Sequence, residues 1–522
     1  METMKLQRSS GILMHISSLP AKFGVGDLGS EAFRWLDFLD QTGTKYWQIL
    51  PLNPTGYGNS PYQGLSAFAG NPLFIDLQNL QEMDLLDKTS LINAPSFSKK
   101  KVQFDKVIKW KRKLLNNAYL SFNQKRIPRL SREFAAFKEK NKFWLDDFSI
   151  FMALREEYQL VSWSEWPLSL KMRESNAINS YTKLNVQNID MHAFFQFIFF
   201  RQWKKLKEYA NQNGIYIIGD IPIFMGFDCS DVWANPHLFL LDEHRQPTSV
   251  AGVPPDFFSK TGQLWGNPLY DWGKHKSENY DWWIKRVRET LKTVDLIRLD
   301  HFRGFAGFFK IPAGSKTAEK GEWVKGPGKS IFDSMEKELG KLPFIAEDLG
   351  VITADVINLR ERYGFPGMRI FQFAFLENAD DEFLPHNYPQ NCVAYTGTHD
   401  NDTSKGWFNK APMREKKFFL SYIGNHKKNI AHEMIRTVWS SVAALTVAPM
   451  QDFLQMDTEA RMNLPSTTSG NWEWRMRSDA ITKDLVAWTK KLNITFDRAI
   501  LSKGWKAKKY FQDDHITGYS RR

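Results

Sequence analysis

Short, nearly continuous apolar stretches recur along this chain, most of them separated by stretches with helical spacing. The first is "GILMHI" (11–16). The second, "KYWQILPL" (45–52), follows the amphipathic "SEAFRWLDFLDQTG". "IYIIGDIPIF" (215–224) follows the long helical stretch "MHAFFQFIFFRQWKKLKEYANQNG", which ends in a glycine, as helices commonly do. "LIRLDHF" (296–302) follows "YDWWIKRVRETLKTV". "PFIAEDL" (343–349) and "MRIFQFAF" (368–375) flank "TADVINLRERYG". "CVAYTGTHD" (392–400) and "ALTVAPMQDF" (444–453) complete a set of eight. Apolar strands alternating with helices predict a parallel sheet buried on both faces. Eight such units predict an α/β fold, a closed (β/α)8 TIM barrel. The competing arrangement is an open doubly wound sheet, but no Gly-rich dinucleotide fingerprint follows the first strand.

The spacing of the strands is uneven. The second and third are too far apart for one crossover, so an inserted, mostly helical subdomain is expected over roughly 76–195. The interval before the fourth strand, roughly 225–295, is a second insertion. It contains "SVAGVPPDFFSKTGQLWGNPLYDW" (249–272), rich in Pro, Gly and aromatic residues and expected to be an ordered loop over the barrel mouth. The expected organisation is one barrel domain over 1–522, with insertions at the C-terminal face of the strands and an extension over 500–522.

Composition narrows the class. The 522 residues are 42% hydrophobic, 25% charged and 14% aromatic, enough apolar material for a sizeable core. The 19 tryptophans supply flat rings of the kind that sugar faces bind. The net charge of +12 reads as a solvated basic surface. Its densest run, 98–113, is expected to be one Lys-rich amphipathic helix and carries no nucleic-acid-binding motif. Two cysteines, Cys229 and Cys392, make no disulfide framework and suit a reducing compartment. The N-terminus lacks a long apolar signal region and no apolar run reaches membrane-spanning length. The expectation is a soluble, cytoplasmic protein with neither nucleic-acid nor membrane partners.

In a barrel, chemistry sits at the C-terminal ends of the strands. There the chain places Asp220, Asp300 (with Arg298 and His301 beside it), Glu347–Asp348 and His399–Asp400. A lone strand-end carboxylate is ordinarily a cap or an ion-pair partner. Four strands delivering carboxylates to one rim imply a purpose, because like charges held close cost free energy. No metal-binding spacing, nucleophile elbow, P-loop or kinase motif is present. Two acidic groups flanking a bond suit glycoside cleavage, one ionised and one protonated. Arg298 shares a strand face with Asp300, and its charge is expected to lower the Asp300 pKa and keep that group ionised. Glu347 closes an apolar run, where desolvation and neighbouring carboxylates raise its pKa, as a general acid requires. His301 and His399 are candidates for hydrogen bonds to sugar hydroxyls.

The ordered set "SSLPAKFGVGDLG", "GNSPYQGLSAFAGNP", "GDIPIF", "GVPPDFFSKTGQLWGNPLYDW", "IRLDHFRGF", "IAEDLGVI", "GFPGMRIFQFAF", "TGTHDNDT" and "EARMNLPSTTSGNWEWR" resembles glycoside hydrolase family 77 over roughly 8–495. These are the 4-alpha-glucanotransferases, also called amylomaltases or disproportionating enzymes. The resemblance implies a nucleophile at Asp300, an acid/base at Glu347 and a third carboxylate at Asp400. It implies a donor-sugar contact at His399, a subsite around Arg298 and His301, and support of the nucleophile and substrate by Asp220. Tyr62 matches an aromatic platform beside the donor glucose, while Trp265 and Asp256 match the loop over the acceptor side. The implied substrates and partners are α-1,4-glucans and maltooligosaccharides, with no metal, nucleotide or organic cofactor.

The chain departs from the family pattern in three places. Phe257 stands where the family usually has tyrosine, which removes a hydroxyl and bears on acceptor preference. Gly226 and Phe227 are altered, which bears on the shape of the mouth. The tail 500–522 extends past the family's usual end. The expected reaction is retaining transfer of a glucan segment to the 4-hydroxyl of an acceptor. An α-amylase-like retaining hydrolase would use the same carboxylates, and spacing does not separate the two; only the resemblance favours transfer. A non-catalytic maltodextrin-binding barrel is a third reading, against which the presence of Asp300, Glu347 and Asp400 speaks.

Overall fold

The computed structural model describes residues 6–255, 259–376, 379–426 and 428–500. In chain order the strands among them are β1 (Ser9–Leu13), β2 (Tyr46–Gln48), β3 (Tyr216–Pro222), β4 (Ser249–Val253), β5 (Gln263–Pro268), β6 (Leu296–Asp300), β7 (Gly307–Pro312), β8 (Glu322–Lys325), β9 (Phe344–Ala346), β10 (Gly367–Ile370), β11 (Cys392–Tyr395) and β12 (Leu445–Pro449). Eight of these form one parallel sheet in the order β10-β11-β12-β1-β2-β3-β6-β9. Its two ends meet where the Ala346 N–H donates to the Pro366 carbonyl at 2.9 Å. The fold is a (β/α)8 TIM barrel, and each of the eight expected apolar stretches overlaps one of its strands. The strands read as unbroken apolar runs because helices cover them outside and side chains fill them inside.

Between β2 and β3 the chain is mostly helical, with long helices at Phe104–Lys125, Pro128–Glu157 and Val186–Gln212. The last of these runs past the expected boundary at 195 without a break. Its first half packs into the insertion, where Phe194 stacks on Phe122 at 4.8 Å. Its second half is the barrel's own crossover helix, with Trp203 Nε1 donating to the Thr293 carbonyl at 2.9 Å. One rigid helix therefore belongs to both units.

Two expectations are corrected. The Lys-rich run 98–113 is not one helix: the helix begins at Phe104. The preceding residues pair with the C-terminal region, through Val102 N–H to Glu473 C=O at 2.7 Å and Arg475 N–H to Lys100 C=O at 2.9 Å. Backbone pairing there outweighs the helical pattern of the lysines. The stretch 249–272 is not simply a loop. It carries the antiparallel strands β4 and β5, which join β7 and β8 in a second sheet of order β5-β4-β7-β8. On one face Val250, Phe309 and Ile311 form a small core with Ala318; on the other, Ala251 and Phe308 join the main core. Short strands interrupted by Pro and Gly gave no clear alternation to read. Asp256 and Phe257 lie outside the described residues, as does 501–522. Among the described residues no helix is long and apolar enough to cross a membrane.

Lys111 ties the insertion to the barrel. It sits on Phe104–Lys125 and is fully buried. Its Nζ donates to the carbonyls of Leu73 at 2.7 Å and Ile75 at 2.8 Å, and lies 4.0 Å from Asp27 Oδ2. Burial raises the Asp27 pKa to about 7, opposed by Lys111. Removing one partner of a buried charge pair costs on the order of 3–5 kcal/mol, because the other is left uncompensated. Lys111→Met should therefore shift the denaturant midpoint strongly downward. Adding Asp27→Asn should return part of the loss; strict additivity of the two changes in denaturant titrations would rule out the coupling.

Candidate active site

Three neighbouring strands set the site. The β3–β6 register places Asp220 opposite Arg298 and Pro222 opposite Asp300. The β6–β9 register ends with Leu299 opposite Ala346. The Glu347 N–H continues that ladder to Leu299 C=O at 3.1 Å, which puts Glu347 beside Asp300. Alternate residues of a strand share a face, so Arg298 and Asp300 both point inward.

Arg298 is the hub. Its Nε and Nη2 donate to Asp220 Oδ2 at 3.0 and 2.7 Å, and Nη2 also reaches Asp300 Oδ1 at 2.9 Å and the Tyr62 hydroxyl at 3.1 Å. The Tyr62 hydroxyl donates to Asp220 Oδ2 at 2.6 Å. Burial disfavours the guanidinium charge, but Asp220, Tyr62 and Asp300 together hold the Arg298 pKa well above its ordinary value. Arg298 pulls the Asp300 pKa down, as the sequence predicts. Burial is the larger effect, and Asp220 and Asp400 add to it, so Asp300 is pushed up to about 6. Arg298 thus acts in the expected direction, while burial makes the net shift upward.

Glu347 is pushed further, to about 8, first by burial and then by the adjacent Asp300. Backbone N–H groups hold it: His301 donates to Oε2 at 2.6 Å and Leu349 to Oε1 at 3.2 Å. His301 adopts a left-handed conformation, φ 53°, so the chain turns just after that contact. Its ring meets Trp265 edge-on at 4.8 Å. Burial pushes the ring's pKa down to about 4, and its Nε2 has no hydrogen-bond partner among the described residues. Asp348, next to Glu347, serves the barrel seam instead, accepting from the Met368 N–H at 2.7 Å and pairing with Arg360.

Asp400 has the opposite electrostatics. Burial would raise its pKa, but His399, 3.3 Å from Oδ2, and Asn463 Nδ2, donating to Oδ1 at 2.6 Å, hold it down to about 2. Tyr62 stacks on the His399 ring at 5.0 Å, and Trp472 lies 5.8 Å from both rings. The structure thus gathers Tyr62, Asp220, Arg298, Asp300, His301, Glu347, His399, Asp400 and Trp265 on one rim. It adds Asn463, Trp472 and Arg461, which donates to the Asp400 carbonyl at 2.5 Å. All three lie in "EARMNLPSTTSGNWEWR". Asn463 and Trp472 carry no charge to signal them, and none of the three sits at a strand end. Gly226 and Phe227 sit at the join with the insertion, where Trp163 Nε1 donates to the Phe227 carbonyl at 2.8 Å. Among the described residues, no group of three or more His, Cys, Asp or Glu is arranged to hold a metal ion.

Carboxyl groups with separated pKa values on the rim of a (β/α)8 barrel define a barrel enzyme of the acid–base kind. The family model for 4-alpha-glucanotransferase matches residues 14–482, and the chain belongs to that family. It is 47% identical over 477 residues to a 4-alpha-glucanotransferase of Clostridium butyricum, covering 90% of this chain and 97% of the relative. It is 46% identical to one from Thermus thermophilus, covering 91% and 95%. An amylomaltase from Streptococcus agalactiae, solved in complex with acarbose, superposes with a TM-score of 0.92 at 39% identity, covering 95% of this chain and 100% of that one.

Asn463 supplies a charge-assisted hydrogen bond, and such bonds contribute about 1.5–3 kcal/mol. Asn463→Ala should raise the Asp400 pKa and lower kcat/KM by roughly 10- to 100-fold, with the loss growing as the pH falls. A loss that stays constant across pH would mean that Asn463 does not act through Asp400.

Proposed function

We propose that this chain acts as a 4-alpha-glucanotransferase on α-1,4-glucans and maltooligosaccharides through a retaining double displacement. The observation that carries the mechanism is the adjacency of Asp300 and Glu347 with Glu347 the weaker acid. Neighbouring strands lie about 4.8 Å apart, so the two side chains start from adjacent backbone positions, as direct attack across a carboxyl separation of about 5–5.5 Å requires.

In the first step an Asp300 oxygen forms a bond to the anomeric carbon while the glycosidic C–O bond breaks. The Glu347 proton passes to the departing 4-oxygen, and the leaving chain ends in a free 4-hydroxyl. Asp400, held ionised, stabilises the positive charge developing on the sugar ring. In the second step Glu347, now a base, takes the proton of an acceptor 4-hydroxyl, whose oxygen displaces Asp300. Two inversions restore the α configuration. Tyr62, stacked on His399, offers an aromatic wall to the donor sugar, and Trp265 with His301 borders the acceptor side. The family membership and the names of the relatives favour a sugar acceptor over water.

Maltotriose alone should yield glucose plus a ladder of longer maltooligosaccharides with no net gain of reducing ends. Net accumulation of reducing ends would assign the protein to the hydrolases. Glu347→Gln with a glycosyl fluoride, whose leaving group needs no protonation, should accumulate a glycosyl ester that peptide mapping places on Asp300. Sugar mapped to Glu347 or Asp400 would overturn the assignment.

The pH profile follows from the same pair. Below about pH 6, Asp300 takes up a proton and cannot attack; above about pH 8, Glu347 loses the proton it must donate. A plot of kcat/KM against pH should be bell-shaped with limbs near those values, which belong to the coupled pair. The alkaline limb should vanish in Glu347→Gln assayed with the fluoride donor. Its persistence there would assign that limb to another group.

A further inference from the structure

We propose that Trp323 is an outlying platform for the acceptor glucan, beyond the subsite bordered by Trp265; this rests on the reading of the site given above. Trp323 lies on β8, the edge of the four-stranded sheet. Its side chain is 45% exposed, and among the described residues no other tryptophan is classed as exposed. An exposed indole leaves a large apolar face in water, and such surface commonly marks a contact site.

This ring is held by two neighbours. The Arg303 guanidinium lies over it, 3.8 Å from the ring centroid, and its cross-strand neighbour Phe309 lies at 5.2 Å. A ring already held by its neighbours loses little freedom when a ligand covers its exposed surface. Arg303 also connects the platform to the reacting groups. It follows His301 by two residues, and its Nη1 donates to the carbonyl of Val351, in the loop that leaves Glu347. Trp265 on His301 and Arg303 on Trp323 thus form successive contacts that lead outward from the acceptor side. The donor side is elsewhere, around Tyr62, His399 and Trp472.

The ligand this surface fits is neutral, with apolar faces and hydroxyl edges, as an α-glucan chain has. The exposed Lys325, two residues along β8 and so on the same face as Trp323, offers a hydrogen-bond partner to hydroxyls. A short acceptor would not reach the platform, so Trp323 should act on chain-length preference and leave the chemical step alone.

The test uses the full-length protein with a fixed activated donor, α-maltosyl fluoride, and acceptors of increasing length: glucose, maltotriose and maltohexaose. Trp323→Ala should leave kcat and the glucose KM unchanged and raise the maltohexaose KM about three- to tenfold, the range expected for one lost ring contact. Trp323→Leu, which keeps an apolar cover over Phe309, should show the same length dependence. If Trp323→Leu restores normal maltohexaose use, the ring is only a cover for the small core and the proposal fails. Equal KM changes for all three acceptors would also overturn it. Electrophoresis through amylose-containing gels reads binding without turnover: both variants should be retarded less than the wild type. Equal retardation would overturn the platform even if the wild type proved to be a hydrolase, whereas a wild type that hydrolyses but is retarded more than its variants would fail only the transfer reading.

Discussion

The geometry of the rim depends on one buried guanidinium. Arg298 contacts Asp220, Asp300 and Tyr62 at once, and these groups come from β3, β6 and the segment after β2. Three polar groups brought together in a desolvated space would repel or go unpaired without it. A lysine would not substitute, because a single ammonium lacks the planar fork that reaches separate acceptors in fixed directions. Arg298 is anchored mainly on Asp220, with two donors on one oxygen, so the guanidinium is already oriented when it meets Asp300. Tyr62 is oriented by the same oxygen, and its ring stacks on His399. The ordering thus passes from the barrel wall, through one charge, to the aromatic surface of the cavity.

The barrel strands were legible because parallel strands covered on both faces leave unbroken apolar runs. The four-stranded sheet was not, because its strands are short and bury only part of each face, and β4, β5 and β7 carry Gly or Pro. The Lys-rich run misled for a related reason: its helical spacing is real from Phe104 onward, while the residues before it are committed to pairing with 473–475. In the site, charged groups at strand ends were readable by position. Asn463, Arg461 and Trp472 were not, because they come from a long segment after the last strand and meet Asp400 only through tertiary folding. The direction of the Glu347 shift was readable from its apolar run. The balance at Asp300 was not, because Arg298 and burial act in opposite directions and only the degree of enclosure decides between them.

The insertion and the barrel are not loosely joined. The helix Val186–Gln212 runs through both, and Lys111 caps carbonyls of the segment that follows β2. That segment also carries Tyr62. A displacement of the insertion would therefore reach the rim through backbone already hydrogen-bonded to it. The barrel seam is tied differently. Only one backbone bond links Ala346 to Pro366, and Asp348 reinforces it through the Met368 N–H and Arg360. The residue after Glu347 is spent on holding the strand that aims Glu347.

His301 explains how the two neighbouring carboxyls come to differ. The chain leaves β6 at Asp300 and turns at once through a left-handed residue, a conformation that costs a non-glycine residue of order 1 kcal/mol or more. The His301 N–H meets Glu347, while the Asp300 side chain stays over Arg298. One backbone step thus separates a carboxyl hydrogen-bonded to a full positive charge from one hydrogen-bonded to N–H dipoles, which Arg298 reaches only through space. The charge stabilises an anion at Asp300 far more than the dipoles do at Glu347, although both sit in the same desolvated cavity. The difference between proposed nucleophile and proposed acid is consequently written in the backbone path from 299 to 302 and in the position of Arg298. It needs no difference in side-chain chemistry, which is why a motif as short as "IRLDHF" can hold one group as an anion and help keep its neighbour neutral.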